Sequence, residues 1–292
     1  MRRGAAARGL HEAAPRSKPE AMTHPLRLTR RCSLSLGLAG MAAVLFAPSL
    51  RAEEERVLVA AASDLRFALD EITRAWRTGG HAPVEIVYGS SGNLARQIRQ
   101  GAPFGIFMSA DERYVLELAK DGLLADSGRI YALGRLALVL PPASPLEPDG
   151  TLADLAAALE DGRLSRFAIA NPEHAPYGER AREALVATGL WERIRPHLVY
   201  GENVAQALTF ALSGGVQGGL VAHSLALAPP VVSRARTALV PQRLHTPLRQ
   251  RMALAKGAGD ATRRFYAHLA SPEARAVLAR HGFALPADAS DR

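Results

Sequence analysis

The chain has 292 residues, 48% of them apolar, and a formal net charge of +8. That length allows one large domain or two moderate ones, and the apolar share is ample for a sizeable core. Residues 1–52 hold nine Lys/Arg and two Glu, leaving 27 basic and 26 acidic residues in the remainder, so no basic stripe is left to neutralise phosphates and a nucleic-acid partner is discounted.

The N-terminal segment has the features of an export signal. Arg27, Arg30 and Arg31 precede an apolar run from Leu34 to Phe46 that is short for a membrane span. An abrupt polar start at Glu53-Glu-Glu-Arg56 places cleavage after Ala52. Thr29-Arg-Arg-Cys-Ser-Leu34 partly matches a twin-arginine signal, but an ordinary secretory signal is favoured. Met22 offers a second start. The single cysteine, Cys32, lies inside this segment, so the mature chain is expected to hold neither disulfides nor a thiol nucleophile. A soluble periplasmic protein is expected.

Strand and helix patterns then alternate. Val57–Ala61 is an apolar run of strand length. Ala62-Ser63-Asp64 opens a helix whose apolar positions Leu65, Ala68, Leu69, Ile72 and Trp76 share one face. A strand is expected at Val84–Tyr88, followed by Gly89-Ser-Ser-Gly-Asn93 and a short helix to Gly101. A third strand is expected at Phe104–Met108, capped by Ser109-Ala-Asp-Glu112 with a helix over Tyr114–Ala119. Leu133–Leu140 is one strand-like run ended by Pro141-Pro142. An alanine-rich helix starts near Thr151. Phe167–Ala170 is a buried strand, and Asn171-Pro-Glu-His-Ala-Pro-Tyr-Gly178 is a rigid loop before a helix over Glu179–Thr188. Further strands are expected at His197–Tyr200, Leu220–Ala222, Thr237–Val240 and Met252–Ala255. Helices are expected at Val204–Leu212, Gly259–Ala270 and Ser271–Arg280. This alternation predicts an α/β fold with mostly parallel sheets.

Four strand-to-helix junctions carry small or donor-bearing residues: Ser63-Asp64, Ser90-Ser91-Gly92-Asn93, Tyr177-Gly178 and Asn203-Val204. In parallel α/β sheets such junctions lie at the carboxyl edge, where ligands bind. Helix N-termini there present unpaired N–H groups, and the hydroxyls of Ser63, Ser91 and Tyr177 add directed donors. Each junction alone is more often a plain cap or a packing residue. Together they are notable because none contains Lys or Arg, and the phosphate-loop pattern with its lysine is absent. Neutral, preorganised donors suit a fully ionised oxyanion that only accepts hydrogen bonds. At roughly 1.5–3 kcal/mol per charge-assisted bond, about six would hold it tightly after the costs of desolvation and ordering.

The runs Ala60-Ala-Ala-Ser-Asp64, Ser90-Ser-Gly-Asn-Leu-Ala-Arg-Gln-Ile98, Gly101-Ala-Pro103, Phe107-Met-Ser-Ala-Asp111, Asn171–Gly178 and Gly201-Glu-Asn-Val204, in this order and spacing, resemble the periplasmic molybdate-binding proteins of ABC importers. The resemblance spans Val57 to about Phe283. It implies the two-lobed type II periplasmic-binding-protein fold, with mixed, mostly parallel sheets, flanking helices and the ligand cleft between lobes. The lobes would comprise 53–134 with 241–292, and 135–240, after an N-terminal tail and signal over 1–52. It also implies capture of molybdate, with tungstate expected too, and delivery to an importer permease, with no catalysis and no cofactor. The protein is expected to be a monomer. Carried onto this sequence, Ser63 and Ser91 would bind the oxyanion by hydroxyl and backbone N–H, and Asp64 and Val204 by backbone N–H. No residue would ligate the metal atom directly. Some relatives have a tyrosine near the position of Ala222 and alanine at that of Tyr177, so here Tyr177 is expected to supply the phenolic donor.

Two departures stand out. Asp64 stands where some relatives have asparagine. Its carboxylate would repel a dianion, so its side chain is expected to turn away and cap its own helix. Gly105 replaces an aspartate common before the third-strand phenylalanine. Other candidates are bland: His174 reads as a structural loop histidine, and Arg249-Gln-Arg251 and Arg263-Arg264 as solvated faces. The alternatives are a binding protein for another anion, such as sulfate, or an exported hydrolase using His223-Ser224, which lacks a nucleophile-elbow pattern.

Overall fold

A computed structural model describes residues 56–286; the expected tail, signal and cleavage site lie outside the described residues. The elements in chain order are β1 (Val57–Ala62), α1 (Arg66–Thr78), β2 (Val84–Gly89), α2 (Ser91–Arg99), β3 (Ile106–Ser109), α3 (Glu112–Lys120), β4 (Arg129–Gly134) and β5 (Leu136–Leu140). They continue with α4 (Ala153–Asp161), β6 (Phe167–Ala170), α5 (Pro176–Ala187), α6 (Trp191–Ile194), β7 (Leu198–Gly201), α7 (Val204–Ala211), β8 (Gly219–Ala222) and α8 (His223–Ala226). The last are α9 (Pro229–Val232), β9 (Arg236–Leu239), β10 (Leu248–Leu254), α10 (Asp260–Leu269) and α11 (Pro272–Arg280).

These strands form two five-stranded sheets, ordered β2-β1-β3-β10-β4 and β7-β6-β8-β5-β9. Each has a parallel trio, β2-β1-β3 or β7-β6-β8. Each also has a strand inserted antiparallel between two others: β10 between β3 and β4, and β5 between β8 and β9. The inserted strand is in each case the first strand after the chain crosses from one sheet to the other. This is the two-lobed type II binding-protein architecture.

The crossing explains one departure from the sequence expectation. The single run expected over Leu133–Leu140 is two strands in different sheets, divided at Arg135. The hydrophobicity is continuous because both halves are buried, so periodicity alone could not show the change of sheet. The helix expected from Glu179 begins at Pro176, a favoured first helical residue, which places Tyr177 in its first turn rather than in the loop before it. The short helices α6, α8 and α9 were not anticipated.

Strand alternation places the cores. Val57, Val59 and Ala61 of β1 pack on one side of the first sheet with Leu65, Leu69, Phe265 and Leu278. Ala60 faces the other side with Leu94, Phe107 and Leu118. Both faces are covered by helices, which is why β1 is an unbroken apolar run. The second lobe's core extends to Ala62 and Ala110 of the first lobe, so the two lobes share apolar contact at the strand ends.

Candidate functional site

The carboxyl ends of the two parallel trios face each other. Ser63 follows β1, Ser90 and Ser91 follow β2, and Ala110 follows β3. From the other lobe, Ala175 to Tyr177 follow β6 and Val204 follows β7. These residues, with Ala62, Asp64 and Gly89, line one cavity of no more than about 180 Å3. That is below the roughly 300–1,000 Å3 of pockets for larger organic ligands. The lining contains no Lys, Arg or His among the described residues. The five expected site residues therefore lie together: Ser63, Asp64, Ser91, Tyr177 and Val204 all border the cavity and are all buried.

The hydrogen bonds set the direction of the hydroxyls. The Ser91 hydroxyl oxygen accepts from the Ala110 N–H at 2.9 Å. The Ser63 hydroxyl oxygen accepts from the Ala205 N–H of the opposite lobe at 3.2 Å. A hydroxyl whose oxygen accepts a backbone N–H keeps its own proton to donate. Ser91 and Val204 are the first residues of α2 and α7, so their N–H groups have no acceptor within their own helices. Asn203 caps α7 by accepting from Ala205 and Gln206 at 3.1 Å each, leaving the N–H of Val204 outside the cap. The cavity is thus surrounded by neutral donors from both lobes.

The lobes are closed over it. The Gly92 N–H donates to the His174 carbonyl at 3.0 Å, and Ser90 Oγ lies 3.0 Å from His174 Nδ1. A Cβ on Gly92 would lie 2.7 Å from that carbonyl oxygen, so only glycine permits this approach. His174, expected to be a plain loop residue, thus joins the lobes; its Nε2 also lies 3.5 Å from Glu202. Farther out, Arg113 pairs with both oxygens of Glu179 at 3.0 and 2.8 Å, and Arg180 pairs with Asp111 at 2.8 Å.

Asp64 departs from expectation. Neither the 3-10 turn Ser63–Leu65 nor α1 has a side-chain cap. The carboxylate instead points into the protein, where Gln250 Nε2 donates to its Oδ2 at 2.6 Å. The same amide nitrogen donates to the Tyr177 hydroxyl at 3.2 Å. Burial pushes the Asp64 carboxyl up to about 6, and the hydrogen bonds to Gln250 and Tyr177 offset this only in part. Burial, and next the nearby Asp64 carboxylate, raise the Tyr177 and Tyr131 phenols well above their ordinary range, so both remain protonated donors. Gly134 leaves room for this cluster: a Cβ there would meet Tyr177 Oη at 2.5 Å and Gln250 Nε2 at 2.7 Å.

Gln250 was missed from the sequence. Arg249-Gln-Arg251 looked like a solvated face, but alternation along β10 turns Gln250 fully inward while Arg249 and Arg251 both pair with Glu112. The pattern Leu248-x-Gln250-x-Met252 was the available signal. His223 and Ser224 form no catalytic pair: the Ser224 hydroxyl donates to the Asp64 carbonyl at 2.9 Å, and His223 Nδ1 faces the Gly282 carbonyl at 3.4 Å. Gly105 does not line the cavity.

Residues 57–284 match the model of a family described as bacterial extracellular solute-binding protein. The molybdate-binding protein ModA of Rhodobacter capsulatus is 34% identical over 238 residues, covering 80% of this chain and 90% of that protein. ModA of Escherichia coli is 31% identical over 265 residues, covering 89% and 98%. The solved periplasmic molybdate-binding protein of Azotobacter vinelandii superposes with a TM-score of 0.71 at 26% identity, covering 79% of this chain and all of that one. These relatives are binding proteins and not enzymes, and this chain belongs with them to the bacterial extracellular solute-binding proteins, in the family of the molybdate-binding proteins.

Proposed function

We propose that the protein captures molybdate, and tungstate with it, outside the cytoplasm and delivers the anion to an ABC importer. One observation carries this reading. A small cavity between the lobes is lined by hydroxyls and helix N-termini from both of them, with no cation among its lining residues. Such a shell matches a fully ionised tetrahedral oxyanion, whose oxygens only accept. The printed names of the relatives favour molybdate among such anions.

In this reading Ser63 and Ser91 donate their hydroxyl protons and backbone N–H groups, Asp64 and Val204 donate backbone N–H groups, and Tyr177 donates its phenolic proton. The lobes comprise 53–134 with 241–292, and 135–240. Closure around the anion is what an importer permease would recognise, since only a ligand that binds the closed form better can shift the balance toward it. The protein acts as a monomer in the periplasm, exported by its N-terminal signal.

Calorimetric titration with molybdate, tungstate, sulfate and phosphate tests the assignment. Tight binding of molybdate and tungstate, with sulfate and phosphate much weaker, is the expected result. Heat with phosphate alone would refute it.

A further inference from the structure

The cluster around Asp64 is short of one hydrogen. Asp64 is fully buried. Its Oδ2 receives Gln250 Nε2, but its Oδ1 and the Gln250 Oε1 are both buried without a hydrogen-bond partner. Two unpaired acceptors within one cluster are costly, and neither is relieved by a nearby cation. The groups that face the carboxyl are Tyr177 from α5, Tyr131 from β4 and Gln250 from β10, and all are neutral. Ser224 from α8 occupies only the Asp64 carbonyl. An ionised Asp64 would therefore stand beside the cavity it helps to line with no cation to balance it, its burial offset only in part by hydrogen bonds from Gln250, Tyr177 and the backbone N–H groups of Asp64 and Leu65.

Resting on the oxyanion reading above, we propose that the protein closes on its anion with Asp64 protonated, so that capture of one dianion takes up one proton from solution. In the open protein, water reaches the strand ends and the carboxyl is ionised near neutral pH. On closure the proton moves from solvent or buffer onto the carboxylate, and the closed complex carries one negative charge fewer than its separated parts. The proton converts an acceptor-only group, which repels a dianion, into a donor. It also frees the Tyr177 hydroxyl, whose single proton an ionised carboxylate would hold. Burial already favours the protonated carboxyl in the closed protein, and a bound dianion favours it further. An asparagine at this position would need no proton, so Asp64 makes capture sensitive to pH where an amide would not.

Titration of the intact mature protein with sodium molybdate, in two buffers of different ionisation enthalpy at about pH 5, between the carboxyl's ordinary value and its closed-form value of about 6, tests this. The heats should differ in proportion to uptake of most of one proton per anion, and Kd should weaken toward tenfold per pH unit as pH rises from about 4 to the closed-form value of about 6, a limit the bound dianion moves upward, and level off above it. Asp64→Asn should bind with no proton uptake and a flat pH profile. Equal heats in the two buffers with a flat wild-type profile would overturn the proposal while leaving molybdate binding intact; this measurement needs no variant. Proton uptake that persists in Asp64→Asn would also overturn it. Absence of binding to molybdate in either protein would remove the oxyanion reading and this proposal together.

Discussion

Arg180, on α5 of the second lobe, donates at 2.8 Å to Oδ2 of Asp111, the residue that caps α3 in the first lobe. The pair is nearly sealed from water, with side-chain exposures of 7% and 12%. Arg180 also bonds Glu183 within its own helix, so its guanidinium stays oriented without the partner lobe. The interaction with Asp111 is therefore specific to closure. A double-mutant cycle on Arg180→Met and Asp111→Asn, read as molybdate affinity, should give a coupling of about 1–3 kcal/mol. Fully additive effects would show that the pair does not contribute to the closed state.

The donor directions separate the roles of three hydroxyls. Ser63 and Ser91 accept backbone N–H groups and keep their protons for the cavity. Ser91→Ala should weaken molybdate binding by roughly 1.5–3 kcal/mol, the scale of a hydrogen bond to a charged group. It should also cost stability, because the Ala110 N–H loses its acceptor. Tyr177→Phe should weaken binding by about 1–2 kcal/mol and leave part of the Gln250 amide unpaired. Unchanged affinity in Tyr177→Phe would mean that the phenol serves Asp64 and Gln250 alone.

Asp64 should also mark the pH dependence of stability. Its carboxyl is raised from 3.8 to about 6 by burial. A raised carboxyl contributes stability that is fully present below its unfolded value and lost as pH rises through its folded value. Over that window the loss is on the order of 3 kcal/mol. Asp64→Asn removes the loss, so its melting temperature relative to wild type, without ligand, should rise between about pH 4 and about pH 7. A constant difference across that range would show that the carboxyl does not titrate with folding.

Much of the site was legible because its residues lie at strand-to-helix junctions, where local sequence and position in the fold coincide. Ser63, Ser91 and Val204 each follow a strand and begin a helical turn, so three separate junctions pointed to the carboxyl edges of the two facing sheets. What was not legible came from pairings across long sequence separation. Gln250 meets Asp64 from 186 residues away, and no local pattern near Asp64 announces an inward amide on β10. The Asp64 side chain was expected to cap its helix because an ionised carboxylate would turn away from a dianion; tertiary packing offered Gln250 instead. The change of sheet at Arg135 was hidden for a related reason, since burial on both sides erases the alternation that would mark two strands.

Gly92 allows closure to be tested apart from the donors. It sits in the first turn of α2, and its N–H meets the His174 carbonyl of the opposite lobe. A Cβ there would lie 2.7 Å from the carbonyl oxygen and 3.1 Å from the His174 Cα. The oxygen is backbone and cannot swing aside, so Gly92→Ala should hold the lobes apart by several tenths of an ångström. Within the first lobe the same change favours α2, because alanine is the better helix former by roughly 1 kcal/mol. The two effects have opposite signs. Without ligand, Gly92→Ala should be at least as stable as wild type, yet its molybdate affinity should fall at least tenfold, a loss of about 1.4 kcal/mol. Thermal melts and calorimetry on the same preparation separate the two. Retained affinity would show that the protein binds without the Gly92–His174 contact.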